Sequence, residues 1–445
     1  MATVLTRQQK TWRYRVFATA WLAYAGFYLC RLNFSVAMPL MVEDLGYTKL
    51  NFATVISLYS LLYALGQFVS GAWVDRYGPR LVVSIGLCIA VFSNLLMGIS
   101  ASLLAFAVLG GLNGIGQSTG WPGLVKNMTP WFRQRERGVV MAWWGTSYVL
   151  GASFAVVFAT FWAVDATVLQ QWQWRRAFWA PALLLMLIAI IYMLGSRNSP
   201  SDAGVPELTT SRATDAGTPS SSNDDLTDSS AAGAGPVGTL AGMLLDPGIW
   251  PIAAMYFFLK MTRYSFLFWL PLYMTEHIGY EAGEAGYTAA LYELVGFVGA
   301  IGAGYVSDRL LNARRYPVGA VMLWALGLVC LLQPLAATGG RLSVAVWIAA
   351  VGIFTYGPDT LMSGAAAQDV GSAAHAGKAA GVINGVGSFG QLCSPFIVAY
   401  VTEAYGWDQL FYLFVILAWI GAALLTARWN YAPAGSPQTM LGECP

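Results

Sequence analysis

Two arginines stand in runs that are otherwise apolar: Arg31 in Y-L-C-R-L-N-F and Arg263 in K-M-T-R-Y-S-F. A charge held inside a bilayer costs about 3 kcal/mol on insertion scales, so each intramembrane charge is read first as functional. The guanidinium fork matches a tetrahedral oxyanion through two parallel hydrogen bonds, which makes anion binding the chemistry to expect. Lys260 precedes Arg263 by one helical turn and shares its face, as a third anion contact or a balance for a carboxylate. Glu293, in A-L-Y-E-L-V-G, is the chief acid of the second half and is expected to neutralise Arg263 or Lys260. Asp359 follows Tyr356-Gly357-Pro358, with solvated, capping and site roles all open. Tyr24, Tyr28 and Arg31 are spaced i, i+4, i+7 along one stripe, and Tyr63 and Tyr356 are further candidates to face the same cavity. Phenols offer hydrogen bonds to phosphate or sugar oxygens without adding charge.

No nucleophile–base pair, metal cluster or Gly-rich phosphate loop accompanies these residues, so no enzyme, metal or cofactor is expected. The five cysteines are isolated and carry no CxxC spacing, and His277 and His375 are assigned to loops.

The elements that position the charged residues follow from composition. Of 445 residues, 57% are hydrophobic and 10% charged, against about 25% charged in ordinary globular domains. Net charge is +2, which gives no electrostatic reason for nucleic-acid binding. Crossing the bilayer takes about 20 apolar residues. Twelve such spans are predicted near 16–38, 52–72, 81–100, 103–125, 138–162, 176–196, 249–274, 287–307, 317–337, 342–363, 377–400 and 407–427. Between the sixth and seventh, T-P-S-S-S-N-D-D-L-T-D-S-S is small and polar and reads as part of a disordered linker. The expected organisation is therefore a six-helix half over 1–196, a cytoplasmic linker over 197–245, a second half over 246–430 and a cytoplasmic tail over 431–445. With both termini cytoplasmic, 17 of the 24 Lys and Arg fall on the inner side, which sets that orientation.

The halves repeat. G-A-W-V-D-R-Y-G-P-R follows helix 2 and G-Y-V-S-D-R-L follows helix 8, so Gly71, Asp75 and Arg76 match Gly304, Asp308 and Arg309 at an offset of 233. This pattern resembles the signature of the major facilitator superfamily, which implies an all-α membrane fold of two six-helix bundles rocking about a central site. Those six residues would then act at the moving interface. Arg31 and Arg263 are 232 apart and so occupy equivalent places, facing each other with an anion between them.

Four stretches carry a closer resemblance: Y-L-C-R-L-N-F-S-V-A-M-P, G-Q-S-T-G-W-P, W-F-R-Q-R-E-R-G and Y-G-P. They are similar to the organophosphate:phosphate antiporter family, which includes glycerol-3-phosphate and hexose-phosphate carriers. The resemblance implies that Arg31 and Arg263 bind phosphate, that Tyr24, Tyr28, Tyr63 and Tyr356 line the cavity, and that Glu293 is the helix 8 acid. It also brings Gln67 and Tyr148 into the site, where relatives can carry Lys and His. Leu32 replaces a lysine common after the first arginine, and Lys260 replaces a tyrosine. The N-terminal half is therefore less positive than in relatives, with some positive charge returned by the C-terminal half.

The expected function is exchange of a small organophosphate or phosphonate for inorganic phosphate by a monomer in a bacterial inner membrane. Two other readings stay open. R-x-N-F-S-V-A-M-P is also similar to the anion:cation symporters, which implies proton- or sodium-coupled uptake of carboxylates such as sugar acids. A transporter-like membrane sensor of sugar phosphates is the other.

Overall fold

The computed structural model describes residues 5–132, 137–206, 249–311 and 314–430. The expected linker beyond residue 206 and the tail from 431 lie outside the described residues. Residues 197–206 correct the linker expectation, because they are ordered against the first half. Asn198 Oδ1 accepts from the Arg80 amide at 2.9 Å, and Gln9 Nε2 donates to the Pro206 carbonyl at 3.0 Å.

Helices account for the fold. Those of the first half are α1 (Arg7–Leu45), α2 (Lys49–Tyr77), α3 (Pro79–Ile99), α4 (Leu103–Ser118), α5 (Gly120–Met128), α6 (Arg137–Thr160) and α7 (Arg176–Gly195). Those of the second are α8 (Trp250–Tyr273), α9 (Ala282–Tyr305), α10 (Arg315–Leu331), α11 (Gln333–Thr338), α12 (Arg341–Thr360), α13 (Ala367–Ala404) and α14 (Trp407–Thr426). Local chemistry explains several boundaries. Thr6 with Gln9, and Thr48 with Asn51, form capping boxes that start α1 and α2. Gly46 ends α1 at φ 66°, a left-handed conformation that glycine adopts without steric cost. His375, assigned to a loop from sequence, lies within α13.

Nine helices among the described residues are long and apolar enough to cross a membrane. Three further helices of the fold do not meet that measure, for visible reasons. Leu103–Ser118 and Arg315–Leu331 run for 16 and 17 residues before a break, beyond which α5 and α11 continue their paths. Trp250–Tyr273 carries Lys260 and Arg263, which lower its hydropathy. Apolar side chains such as Leu81, Ile85 and Phe92 project outward from α3, as lipid-facing residues do.

Each half has the same internal packing. In the first, α1 packs on α6 and α7, α2 on α4, and α3 on α4 and α7. In the second, α8 packs on α13 and α14, α9 on α12, and α10 on α12 and α14. The repeat in the sequence is thus a repeat in three dimensions. The halves meet where α1 crosses α8, α2 meets α13, and α6 meets α9. At the first crossing Ser35 Oγ donates to the Phe268 carbonyl at 2.6 Å, a contact between residues 233 apart.

The join between the halves is concentrated at the face opposite the chain termini. There Lys49 Nζ lies 2.7 Å from Glu276 Oε2, and Tyr287 donates to Asp165. Closer to the centre, Ser57 Oγ donates to the Leu392 carbonyl at 3.2 Å. The helix ends on the terminal face behave differently. Asp75 pairs with Lys126 and Asp308 with Arg315, each inside its own half. Gly71 and Gly304 have open space beside them. Among the described residues, the polar contacts named between the halves lie toward one face, whereas the acids of the two motifs on the other face pair inside their own halves.

Candidate functional site

The first arginine is positioned by a break in its own helix. Cys30 departs from helical geometry (φ −102°, ψ 17°), which turns its carbonyl toward α4. Asn113 Nδ2 and Gln117 Nε2 donate to that carbonyl at 2.7 and 2.9 Å. The other end of the Gln117 amide, Oε1, accepts from Arg31 Nε at 2.7 Å. One glutamine therefore holds both the kink and the guanidinium that follows it. The guanidinium carbon sits 4.5 Å from the Tyr28 ring and 5.2 Å from that of Tyr63, within the range of cation–π attraction. Tyr63 in turn accepts from Gln67 Nε2 at 3.0 Å and stacks on Tyr59. Among the described residues no carboxylate lies within ion-pair distance of Arg31.

The second arginine has a different environment. Arg263 Nη1 donates to Asp359 Oδ2 at 2.8 Å, with both side chains largely buried. Its guanidinium carbon lies 4.5 Å from the Tyr356 ring and 5.7 Å from that of Tyr264. Lys260, one turn earlier, is buried with its ammonium 5.0 Å from the Tyr256 ring. Gly387 on α13 leaves the space that the Lys260 stem occupies; a Cβ there would meet Tyr256 and Lys260.

Glu293 does not neutralise either cation in this conformation, contrary to the sequence expectation. Its Oε2 accepts from the Tyr356 hydroxyl, and its Oε1 is buried without a partner among the described residues. Asp359 takes the Arg263 charge because it follows Tyr356 by three residues on α12, which places it beside the same guanidinium. Gly296 makes the Tyr356 placement possible, since a Cβ there would overlap the ring.

The two arginines share neighbours. Tyr28, Tyr264 and Glu293 each lie within electrostatic reach of both guanidiniums. Tyr148 on α6 reaches Thr360 in the other half and lies near Arg263 and Asp359. Tyr24 is more remote in character. It packs against Trp144 and Trp121, at ring separations of 4.8 and 5.6 Å, in an aromatic cluster under Tyr28. The six motif residues, Gly71, Asp75, Arg76, Gly304, Asp308 and Arg309, are not brought to the site; they sit toward the face of the chain termini, at or near the ends of α2 and α9.

Sequence reasoning missed Asn113, Gln117, Tyr59 and Tyr264. Gln117 lies in G-Q-S-T-G-W-P, and a glutamine amid glycines in an apolar span is itself a polar signal. Tyr59 precedes Tyr63 by one turn and its hydroxyl lies 3.4 Å from Gln117 Oε1. Tyr264 adjoins Arg263 in the chain, where helical spacing gave no reason to expect it on the same face.

Comparison with known proteins agrees with this architecture. The family model for the Major Facilitator Superfamily matches residues 17–358 and 253–442. The chain is 28% identical to the probable hexose phosphate transport protein of Chlamydia pneumoniae, over 96% of this chain and 93% of that one. It is 27% identical to the glycerol-3-phosphate transporter of Bacillus subtilis (strain 168), over 95% and 93%. It is 30% identical to the membrane sensor protein UhpC of Salmonella typhimurium, over 94% and 92%. Among solved structures, a bacterial homolog of the human lysosomal transporter Spinster, inward-facing and unoccupied, aligns with a TM-score of 0.75 at 15% identity. That alignment covers 95% of this chain and 99% of the other. These relatives are transporters and a sensor rather than enzymes. The chain is a multi-pass membrane protein of the Major Facilitator Superfamily, and within it belongs to the organophosphate:phosphate antiporter family.

Proposed function

We propose that the chain exchanges a small organophosphate or phosphonate anion for inorganic phosphate by alternating access. The observation that carries this reading is the state of Arg31. Its guanidinium sits mid-helix on neutral partners, Gln117 and two tyrosine rings, with no carboxylate at ion-pair distance among the described residues. A low-dielectric site of that kind favours an anion from outside the protein. Phosphate oxygens suit the remaining guanidinium donors, and the phenols of Tyr28, Tyr63 and Tyr264 suit hydroxyls of the organic part.

In this reading the anion bridges Arg31 and Arg263 and draws the halves together over it. The contacts of Lys49 with Glu276 and of Tyr287 with Asp165 open as the terminal face closes. Gly71, Asp75, Arg76 and their counterparts Gly304, Asp308 and Arg309 form the moving joint on that face, where removing bulk lets helix ends approach. We take the protein to act as a monomer in the inner membrane with both termini in the cytoplasm, from the Lys and Arg distribution.

The test is purified protein in vesicles preloaded with labelled phosphate and challenged with external anions. Release triggered by phosphate esters or phosphonates supports the reading. Uptake of a carboxylate driven by a proton gradient, without phosphate movement, would sink it. A sensor resembling UhpC in action would bind phosphate esters and move none.

A further inference from the structure

The two equivalent arginines differ in one respect that the repeat does not require. Arg31 rests on the neutral Gln117, whereas Arg263 is ion-paired with Asp359 at 2.8 Å. That pair is only half made. Arg263 Nε and Asp359 Oδ1 are both buried without hydrogen-bond partners among the described residues. Lys260 lies on the same face of α8 as Arg263, within electrostatic reach of Asp359, and has no ion pair of its own among the described residues. Asp359 thus has two cations one helical turn apart and occupies one of them.

We propose that Asp359 is a resident counter-ion that stands in for the transported anion on Arg263. The proposal rests on the transporter reading above. When an oxyanion binds, Arg263 turns its free donors to it, and the Asp359 carboxylate is taken up by Lys260. When the anion leaves, Asp359 returns. The consequence concerns the empty carrier. Two bare guanidiniums facing each other across a closing cleft repel, and an occluded empty state would be costly. With Asp359 on Arg263 the two guanidiniums no longer face each other bare, and Arg31 and Lys260 are the site's cations without a carboxylate among the described residues, so the unloaded carrier can cross between its two faces. Exchange in this chain is therefore favoured without being compulsory, and Asp359 sets how compulsory it is. Asp359 is a positioning residue here: it acts through Arg263 and does not touch the cargo.

The experiment compares two rates in vesicles loaded with labelled phosphate and voltage-clamped with potassium and valinomycin. One is exchange against external phosphate; the other is net efflux into anion-free buffer. Wild type should show net efflux within about tenfold of exchange, and Asp359→Asn should lower the ratio of efflux to exchange by roughly tenfold or more. Asp359→Glu should restore the ratio, which a merely structural role would not predict. Phosphate should also raise the melting temperature of Asp359→Asn more than that of wild type. Should Asp359→Asn not fold, Lys260→Gln serves instead. It leaves the Arg263–Asp359 pair intact but removes the second cation, so the KM for phosphate should rise while the ratio holds. An unchanged ratio in Asp359→Asn, or an unchanged KM in Lys260→Gln, overturns the proposal while leaving the transporter reading in place. A wild-type protein that moves no phosphate under any condition overturns both.

Discussion

Arg263 and Asp359 form a buried ion pair at 2.8 Å, and among the described residues Arg31 has no equivalent of it. The fold repeats twice, yet the two halves of its site are electrostatically unlike. The first half offers a cation on neutral supports. The second offers two cations, of which Arg263 holds the Asp359 carboxylate. A cargo with a charged head and a polar body would meet different chemistry at its two ends, charge beside Arg31 and mixed polarity near Lys260, Asp359 and Glu293.

Gln117 should be as sensitive to substitution as a cargo-contacting residue. Its amide holds the Cys30 carbonyl and Arg31 Nε at once. Gln117→Leu removes both bonds and leaves a guanidinium and a turned-out carbonyl short of partners. The cost should be about 2–4 kcal/mol in stability, from a lost charged hydrogen bond and a less satisfied carbonyl. Thermal melting of the purified protein checks this, and the KM for phosphate should rise alongside. Gln117→Glu should be worse for transport than for stability, because it would neutralise Arg31 directly.

The Tyr356–Glu293 contact yields a paired prediction. Tyr356→Phe strips the donor from a buried carboxyl whose other oxygen already lacks a partner. It should destabilise the protein by roughly 1–3 kcal/mol. Replacing both partners, as in Tyr356→Phe with Glu293→Leu, should recover most of that loss, since no polar group is then left stranded. A double mutant no more stable than Tyr356→Phe alone would show that the hydrogen bond is not the source of the effect.

At the closed face, Lys49 and Glu276 join α2 to the end of α8. Both side chains are partly exposed, so the pair is worth about 1 kcal/mol at most. Glu276→Gln should shift the balance toward opening of that face by a few-fold. A cysteine placed at Ser57, on the inner side of this contact, should then react faster with a water-soluble thiol reagent, in a background where Cys88, Cys393 and Cys444 are replaced by serine. An unchanged labelling rate would mean that apolar packing of α2 on α13 alone keeps the face shut.

Much of this architecture is legible in the sequence because the bilayer constrains it so strongly. Apolar length marks the spans, and the offset between Gly71-Asp75-Arg76 and Gly304-Asp308-Arg309 reveals the repeat. The arginines are conspicuous because charge is rare at that depth. What remained hidden is pairing across the bundle. Whether Glu293 or Asp359 neutralises Arg263 depends on how α9 and α12 are rotated against α8, and periodicity within one helix carries no information about rotation between helices. The Cys30 kink was equally hidden. Nothing local to Y-L-C-R-L-N-F breaks a helix; the break is sustained by Asn113 and Gln117 from α4. The order of 197–206 escaped notice for the same reason, since its anchors are Gln9 and Arg80.

The most direct test of the account is phosphate exchange by Arg31→Lys and Arg263→Lys, each reconstituted beside wild type. Lysine keeps the charge but loses the planar fork, so bidentate recognition fails while gross electrostatics survive. The account predicts that wild type releases labelled phosphate to an external phosphate ester, and that each single lysine variant lowers exchange by about 100-fold or more. Near-normal exchange in either variant, with the protein folded and inserted, would contradict a site built on paired guanidiniums.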